Sequence, residues 1–186
     1  MLVGFENLDL TVEKKLVCHP DLAAFACTWE LHEDALIQQQ AVGNLIVIAL
    51  YYLLRVGEYT VKGSRAQSKQ TVQFRLQDLT FFGHDDQGRL RQLSRTASNS
   101  DILAAHSATL KLLNQKNGWK AACIHQEANR EYVKCPVRTL ARRVFHLRQH
   151  KAPPKTFLCV VFDKEEQEQY VCANDISKAL KVAANP

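Results

Sequence analysis

No stretch of this 186-residue chain stays apolar for as long as a membrane span requires. The longest candidate, residues 41–54, carries Gly43 and Asn44 and falls short of the roughly 20 residues needed, so it reads as a buried core helix. No secretory signal is apparent. No internal repeat and no low-complexity tract occurs. Closely paired cysteines are missing too: Cys18, Cys27, Cys123, Cys135, Cys159 and Cys172 are scattered, which favours reduced thiols in an intracellular protein over a disulfide framework. Two loose Cys/His groups, Cys18-His19 with Cys27 and His32, and Cys123-x-His125 with Cys135, lack zinc-knuckle spacing. No metal or other cofactor is therefore expected. Charge of one sign is in modest excess only; a net charge of +5 is compatible with nucleic acid and equally common in proteins that never touch it.

What is present is an ordinary globular composition, with 46% hydrophobic and 23% charged residues, long enough to bury one core. Residues 1–32 read as a leader or linker, with a short helix over 22–32 capped by Asp21. A long helix is expected from about 33 to 57, because Ala35, Leu36, Val42, Leu45, Ile46, Ala49, Leu50 and Leu53 recur at helical spacing, with Gln38 to Gln40 on the wet face. Thr71 to Phe82 reads as a short helix or strand leading to an edge strand, and Asp85 to Gly88 as a turn. Asn117-Gly118 between apolar runs predicts a β-hairpin. Pro136 opens a helix running to about His150, Phe157 to Phe162 reads as a buried strand, and Asn174 is expected to cap a final helix over 174–184.

Three features carry chemistry. Arg55 ends the apolar run, where a buried guanidinium has to find an anion or a bed of carbonyls. Glu58, three residues on, is placed to orient it. Lys116 sits beside the Asn117-Gly118 turn. The loop from Lys62 through Arg65 to Lys69 holds three cations and no acid. On the 136–150 helix, Val137, Leu140, Ala141, Val144 and Leu147 form an apolar stripe flanked by Arg138, Arg142 and Arg143; that flank is either a phosphate-facing strip or a solvated face.

At four places the chain resembles the tyrosine recombinases, the phage-integrase-like enzymes, most nearly those of eukaryotic mobile elements. The matching words are Leu53-Leu-Arg55-Val-Gly-Glu58-Tyr-Thr60, Thr71-Val-Gln-Phe-Arg-Leu-Gln-Asp78-Leu, Asn114-Gln-Lys116-Asn-Gly118 and Cys135-Pro-Val-Arg-Thr-Leu-Ala-Arg-Arg143, spanning about residues 35 to 152 in the family's order. The resemblance implies an α+β fold of mixed helices with a small antiparallel sheet and β-hairpin, like the front part of a recombinase catalytic domain over 33–186. It implies that Arg55 clamps phosphate, Glu58 supports it and Lys116 acts as the hairpin lysine, without metal. Lys62, Arg65, Lys69, Arg138, Arg142 and Arg143 would touch the DNA backbone. The family's His-x-x-Arg box and nucleophilic tyrosine have no counterpart in the sequence, since His146-Leu-Arg-Gln149 comes too early and ends in Gln, and Tyr170 lies in an acidic stretch.

The expectation is a DNA-binding, integrase-like protein of a mobile element, concerned with DNA recombination, catalytically incomplete and located in the nucleus. DNA is the expected partner, self-association is expected, and no membrane is. The competing expectation is a non-catalytic interaction module that binds nucleic acid or an acidic protein on the same scaffold.

Overall fold

The computed structural model describes residues 37–61, 73–112 and 122–184. They form a mixed α+β fold with a small antiparallel sheet. Helix α1 (Ile37–Tyr51) is its axis. Every residue from Ala41 to Ile48 is buried, which is the pattern of a helix enclosed on all sides rather than one with a single wet face. Each large aliphatic side chain so enclosed contributes about 1.5–3 kcal/mol. Of the three glutamines expected on the wet face, Gln39 is exposed, whereas Gln38 and Gln40 are half-buried.

The expected helix to residue 57 does not run that far. Tyr52 donates to Ile48 O at 2.9 Å, and Leu54 donates to Ala49 O at 2.9 Å across a Leu53 held at φ 53°. A left-handed residue followed by that long-reach bond ends the helix. A second helix, α2 (Val56–Tyr59), starts after the corner. The expected helix over 22–32 lies outside the described residues.

A 3-10 turn (Leu76–Asp78) leads into β1 (Leu79–His84). Strands β2 (Leu90–Gln92), β3 (Ser107–Lys111) and β4 (Cys123–Glu127) complete a sheet ordered β2-β1-β3-β4, with every neighbour antiparallel. Leu79 and Phe81 of β1 pair with Leu110 and Ala108 of β3, and all four are buried on the helix side. Gly88, at φ 74°, closes the expected Asp85 turn, where glycine carries no steric cost. The short helix α3 (Asn99–Leu103) is capped by Ser98, whose hydroxyl accepts from Asp101 N at 3.1 Å.

Helix α4 (Pro136–Gln149) begins at the proline as expected. Its apolar stripe, Val137, Leu140, Ala141, Val144 and Leu147, is buried throughout. Its end is stapled to the α3 approach by Arg148, which donates to Ala97 O at 2.7 Å and Arg95 O at 2.6 Å. Strands β5 (Val160–Phe162) and β6 (Glu168–Tyr170) pair as a separate two-stranded ribbon. Helix α5 (Ala173–Ala184) then packs on α1 and α2. Its cap is not Asn174, which is exposed inside the first turn. The helix starts one residue earlier, so Asp175 reaches back and accepts from Cys172 N at 2.8 Å. No helix among the described residues is long and apolar enough to cross a membrane.

Candidate functional site

The corner between α1 and α2 puts Arg55 in solvent. The apolar run therefore does not bury this guanidinium, contrary to the sequence reading, because Leu53 turns the chain out of the helix two residues earlier. Glu58 supports Arg55 through the main chain rather than across a shared helix face. Its buried carboxylate accepts the Arg55 N–H at 2.8 Å. The corner is held from three further sides. Gln126 of β4 donates to Tyr51 O at 2.8 Å, the Tyr52 hydroxyl donates to Ala108 O of β3 at 3.2 Å, and Phe74 N donates to Glu58 O at 3.1 Å. Arg55 thus has a fixed backbone and a solvent-facing side chain, beside the two strands whose connection carries Lys116. Lys116 itself lies outside the described residues, as do Lys62, Arg65 and Lys69.

The same device recurs at Arg75, whose N–H donates to the buried Asp78 carboxylate at 2.9 Å. Burial raises the Asp78 carboxyl above the ordinary carboxylate range. The Arg75 guanidinium lies 5.5 Å over the Phe157 ring. Both boxes share an Arg-x-x-acid spacing that the sequence displays.

The three α4 arginines do not form one exposed strip. Arg143 is the correction: it is 2% exposed, and its side chain donates to Leu158 O at 3.1 Å and to Val160 O. Almost wholly covered, it stands on no outer surface that a DNA backbone could lie against. Desolvation lowers its pKa to about 10. The bed of carbonyls anticipated for Arg55 belongs to this arginine instead. Arg142 is half-buried and donates to Asn44 Oδ1 at 3.1 Å, Val133 O at 2.9 Å and Thr139 Oγ1 at 2.8 Å. Arg138 donates to Asn129 O at 3.3 Å, and both these guanidiniums approach the Tyr132 ring, at 5.7 and 5.8 Å.

The chain has five tyrosines. Tyr52 and Tyr59 are buried, and burial raises both hydroxyls, Tyr59 to about 12. The Tyr51 hydroxyl accepts from Asn129 at 3.3 Å. Tyr170 donates to Glu168, and that bond pushes it up to about 12, so it has no tendency to form a phenolate near neutral pH. Tyr132 is exposed between its two arginines. Among the described residues no group of three or more His, Cys, Asp or Glu is placed to hold a metal ion, and the buried Cys135 and Cys159 are free thiols.

Sequence reasoning missed a cleft of about 400 Å³ between α1 and α4, lined by Gln40, Asn44, Arg142, Arg143 and His146 with Ile37, Ala41, Phe145 and Tyr132. Its polar members on α1 lie 98 or more positions from those on α4, so no local motif joins them; the signal available was Asn44 inside an otherwise apolar run. Comparison with known protein families, with curated proteins and with solved structures finds no match to this chain.

Proposed function

We propose that this protein binds DNA through the phosphate backbone, as a recombinase- or integrase-like module of a mobile element. Arg55 is the phosphate-contacting arginine, Glu58 its support and Lys116 a second contact. The observation that carries this reading is the Glu58–Arg55 corner, where a buried carboxylate fixes the main chain of a solvent-facing arginine. A guanidinium suits the task because its planar fork can hold two phosphate oxygens. Pre-organised backbone lowers the ordering cost of each contact. The family likeness in the order of the four sequence words supports the assignment to DNA, and with it a nuclear location.

Strand cleavage by Tyr170 is no part of the proposal. A hydroxyl committed to the Glu168 carboxylate, in an exposed acidic strand that repels phosphate, is a poor attacking group for DNA. The reading is therefore of binding without covalent chemistry by this chain.

A second reading has its own observation. Leu53 is 85% exposed and Val56 43% exposed, on either side of Arg55. An apolar rim around a cation also suits a protein partner or a second copy of the chain. One assay separates the two. Affinity for duplex DNA is measured over a salt series with wild type, Arg55→Ala and Tyr170→Phe. DNA binding requires a steep inverse dependence on salt, a slope reduced by about one unit in Arg55→Ala, and no change in Tyr170→Phe. No binding at low salt, or a flat salt response, removes the DNA reading and leaves the interaction module. A covalent adduct abolished by Tyr170→Phe overturns the non-catalytic claim.

A further inference from the structure

We propose that the cleft between α1 and α4 is a binding site for a small oxyanion, phosphate or carboxylate, carried on a flat apolar body. Two polar groups with unspent donors, each at least nine-tenths buried, face this cleft. Asn44 is 9% exposed and gives its Oδ1 to Arg142 Nε at 3.1 Å. That bond fixes which end of the amide points away, and the Nδ2 donors have no acceptor among the described residues. Arg143 is 2% exposed and commits Nε and Nη2 to Leu158 O and Val160 O. Its Nη1 has no acceptor among the described residues. The sealed orphan atoms of the described residues are Arg75 Nε, Ser107 Oγ and His150 Nδ1, so Arg143 Nη1 is not sealed and opens onto the cleft it lines.

Among the described residues the charge of Arg143 is matched by carbonyl dipoles alone, with no carboxylate within ion-pair distance. A buried cation in that state is costly, and an entering anion supplies the missing counter-charge in a low-dielectric setting. The rest of the cleft agrees with this selection. Gln40 adds a side-chain amide, and His146 lines the cleft with its Nε2 accepting from Phe162 N at 3.0 Å, so its proton sits on Nδ1. No Asp or Glu among the described residues lines the cleft. Ile37, Ala41, Phe145 and Tyr132 supply apolar and aromatic wall for the body of the ligand, and about 400 Å³ is in the range of small-molecule sites. A fully hydrated inorganic ion alone uses only the polar end.

The site is separate from Arg55, and its test does not involve DNA. Thermal unfolding of the full chain is followed with inorganic phosphate, phenyl phosphate or benzoate, each against chloride at equal ionic strength. Phenyl phosphate or benzoate is expected to raise Tm by several degrees near saturation, and inorganic phosphate by less. A larger rise with phenyl phosphate assigns the phosphate source, and a larger rise with benzoate the carboxylate. Asn44→Asp is expected to fold, because its carboxylate meets Arg142, and to lose the rise by occupying the site with its own anion. Arg55→Ala keeps it. If Asn44→Asp does not fold, the Arg143 Nε–H resonance of the wild type provides the reading, since it has to shift on titration with phenyl phosphate or benzoate. No difference from chloride with any of the three, a rise retained in folded Asn44→Asp, or an unmoved Arg143 resonance overturns the proposal.

Discussion

The Glu58 carboxylate accepts the main-chain N–H of Arg55 at 2.8 Å, while the Arg55 side chain stays in solvent. Through this bond the acid fixes the position of the arginine's main chain. Glu58→Ala is expected to lower stability by about 1–2 kcal/mol through loss of this cap. Glu58→Gln, which keeps an acceptor oxygen, is expected to lose less. Chemical denaturation of the two variants measures both effects, and equal losses would show that the carboxylate charge, rather than the cap geometry, is what the corner needs.

Leu53 occupies left-handed backbone, at φ 53°, with its side chain 85% exposed. A non-glycine residue there costs about 1–2 kcal/mol, against about 0.5–1 kcal/mol for the greater freedom of glycine when unfolded. Leu53→Gly is expected to be net stabilising, by about 0.5–1 kcal/mol, and to raise Tm by roughly 1–4 °C. A gain in stability accompanied by loss of partner binding would mark the exposed leucine as part of the interaction surface. A loss of stability would contradict the strained corner.

Arg143 connects α4 to the chain entering β5 through the carbonyls of Leu158 and Val160. Removing it leaves two buried acceptors without donors and a cavity beside them. Arg143→Ala is expected to cost about 3–5 kcal/mol. Arg143→Lys, which offers a point charge in place of a fork, is expected to cost about 1–3 kcal/mol. Midpoint shifts at unchanged denaturant slope check these values.

His146 is held neutral in the fold, its pKa lowered to about 4 by burial first and by Arg143 and His150 after that. The unfolded chain takes up a proton near pH 6.5 and the folded one does not. The contribution of neutral His146 is therefore complete above pH 6.5 and lost progressively as pH falls toward about 4. The ring is only partly screened from water, so the full shift overstates the effect; a loss on the order of 1–2 kcal/mol is expected. His146→Gln, measured over the same pH range, is expected to flatten the profile. An unchanged profile would place the acid sensitivity elsewhere.

Much of this architecture is legible in local sequence. The 14 residues of α4 follow from Pro136 and from five apolar positions at helical spacing. The Asp85 turn follows from its glycine, and β3 and β4 pair as the expected hairpin, whose Asn117-Gly118 turn lies outside the described residues. Each of these is decided by near neighbours, and each survives the rest of the fold. The end of α1 is different. Nothing apolar stops at residue 51, and Leu53 is a poor residue for a left-handed corner, so periodicity carries the helix on to residue 57. The corner exists because Tyr52, Gln126 and Phe74 bond across it from elements far along the chain.

The arginines divide in the same way. That Arg55 leaves an apolar run, and that Arg138, Arg142 and Arg143 flank an apolar stripe, is fixed by sequence alone, because helical spacing sets which residues share a face. Which of them meets water and which meets carbonyls depends on the partner that covers the face. Arg143 is buried because the β5 approach crosses α4 there, and Arg55 is exposed because the chain turns before reaching it. The cleft at Asn44 had the least chance of being read, since its walls come from two helices whose sequences carry no mark of one another. Local pattern determined the elements and their apolar faces; long-range packing determined where each charge is desolvated, because burial is a property of two surfaces and the sequence of one element specifies only its own.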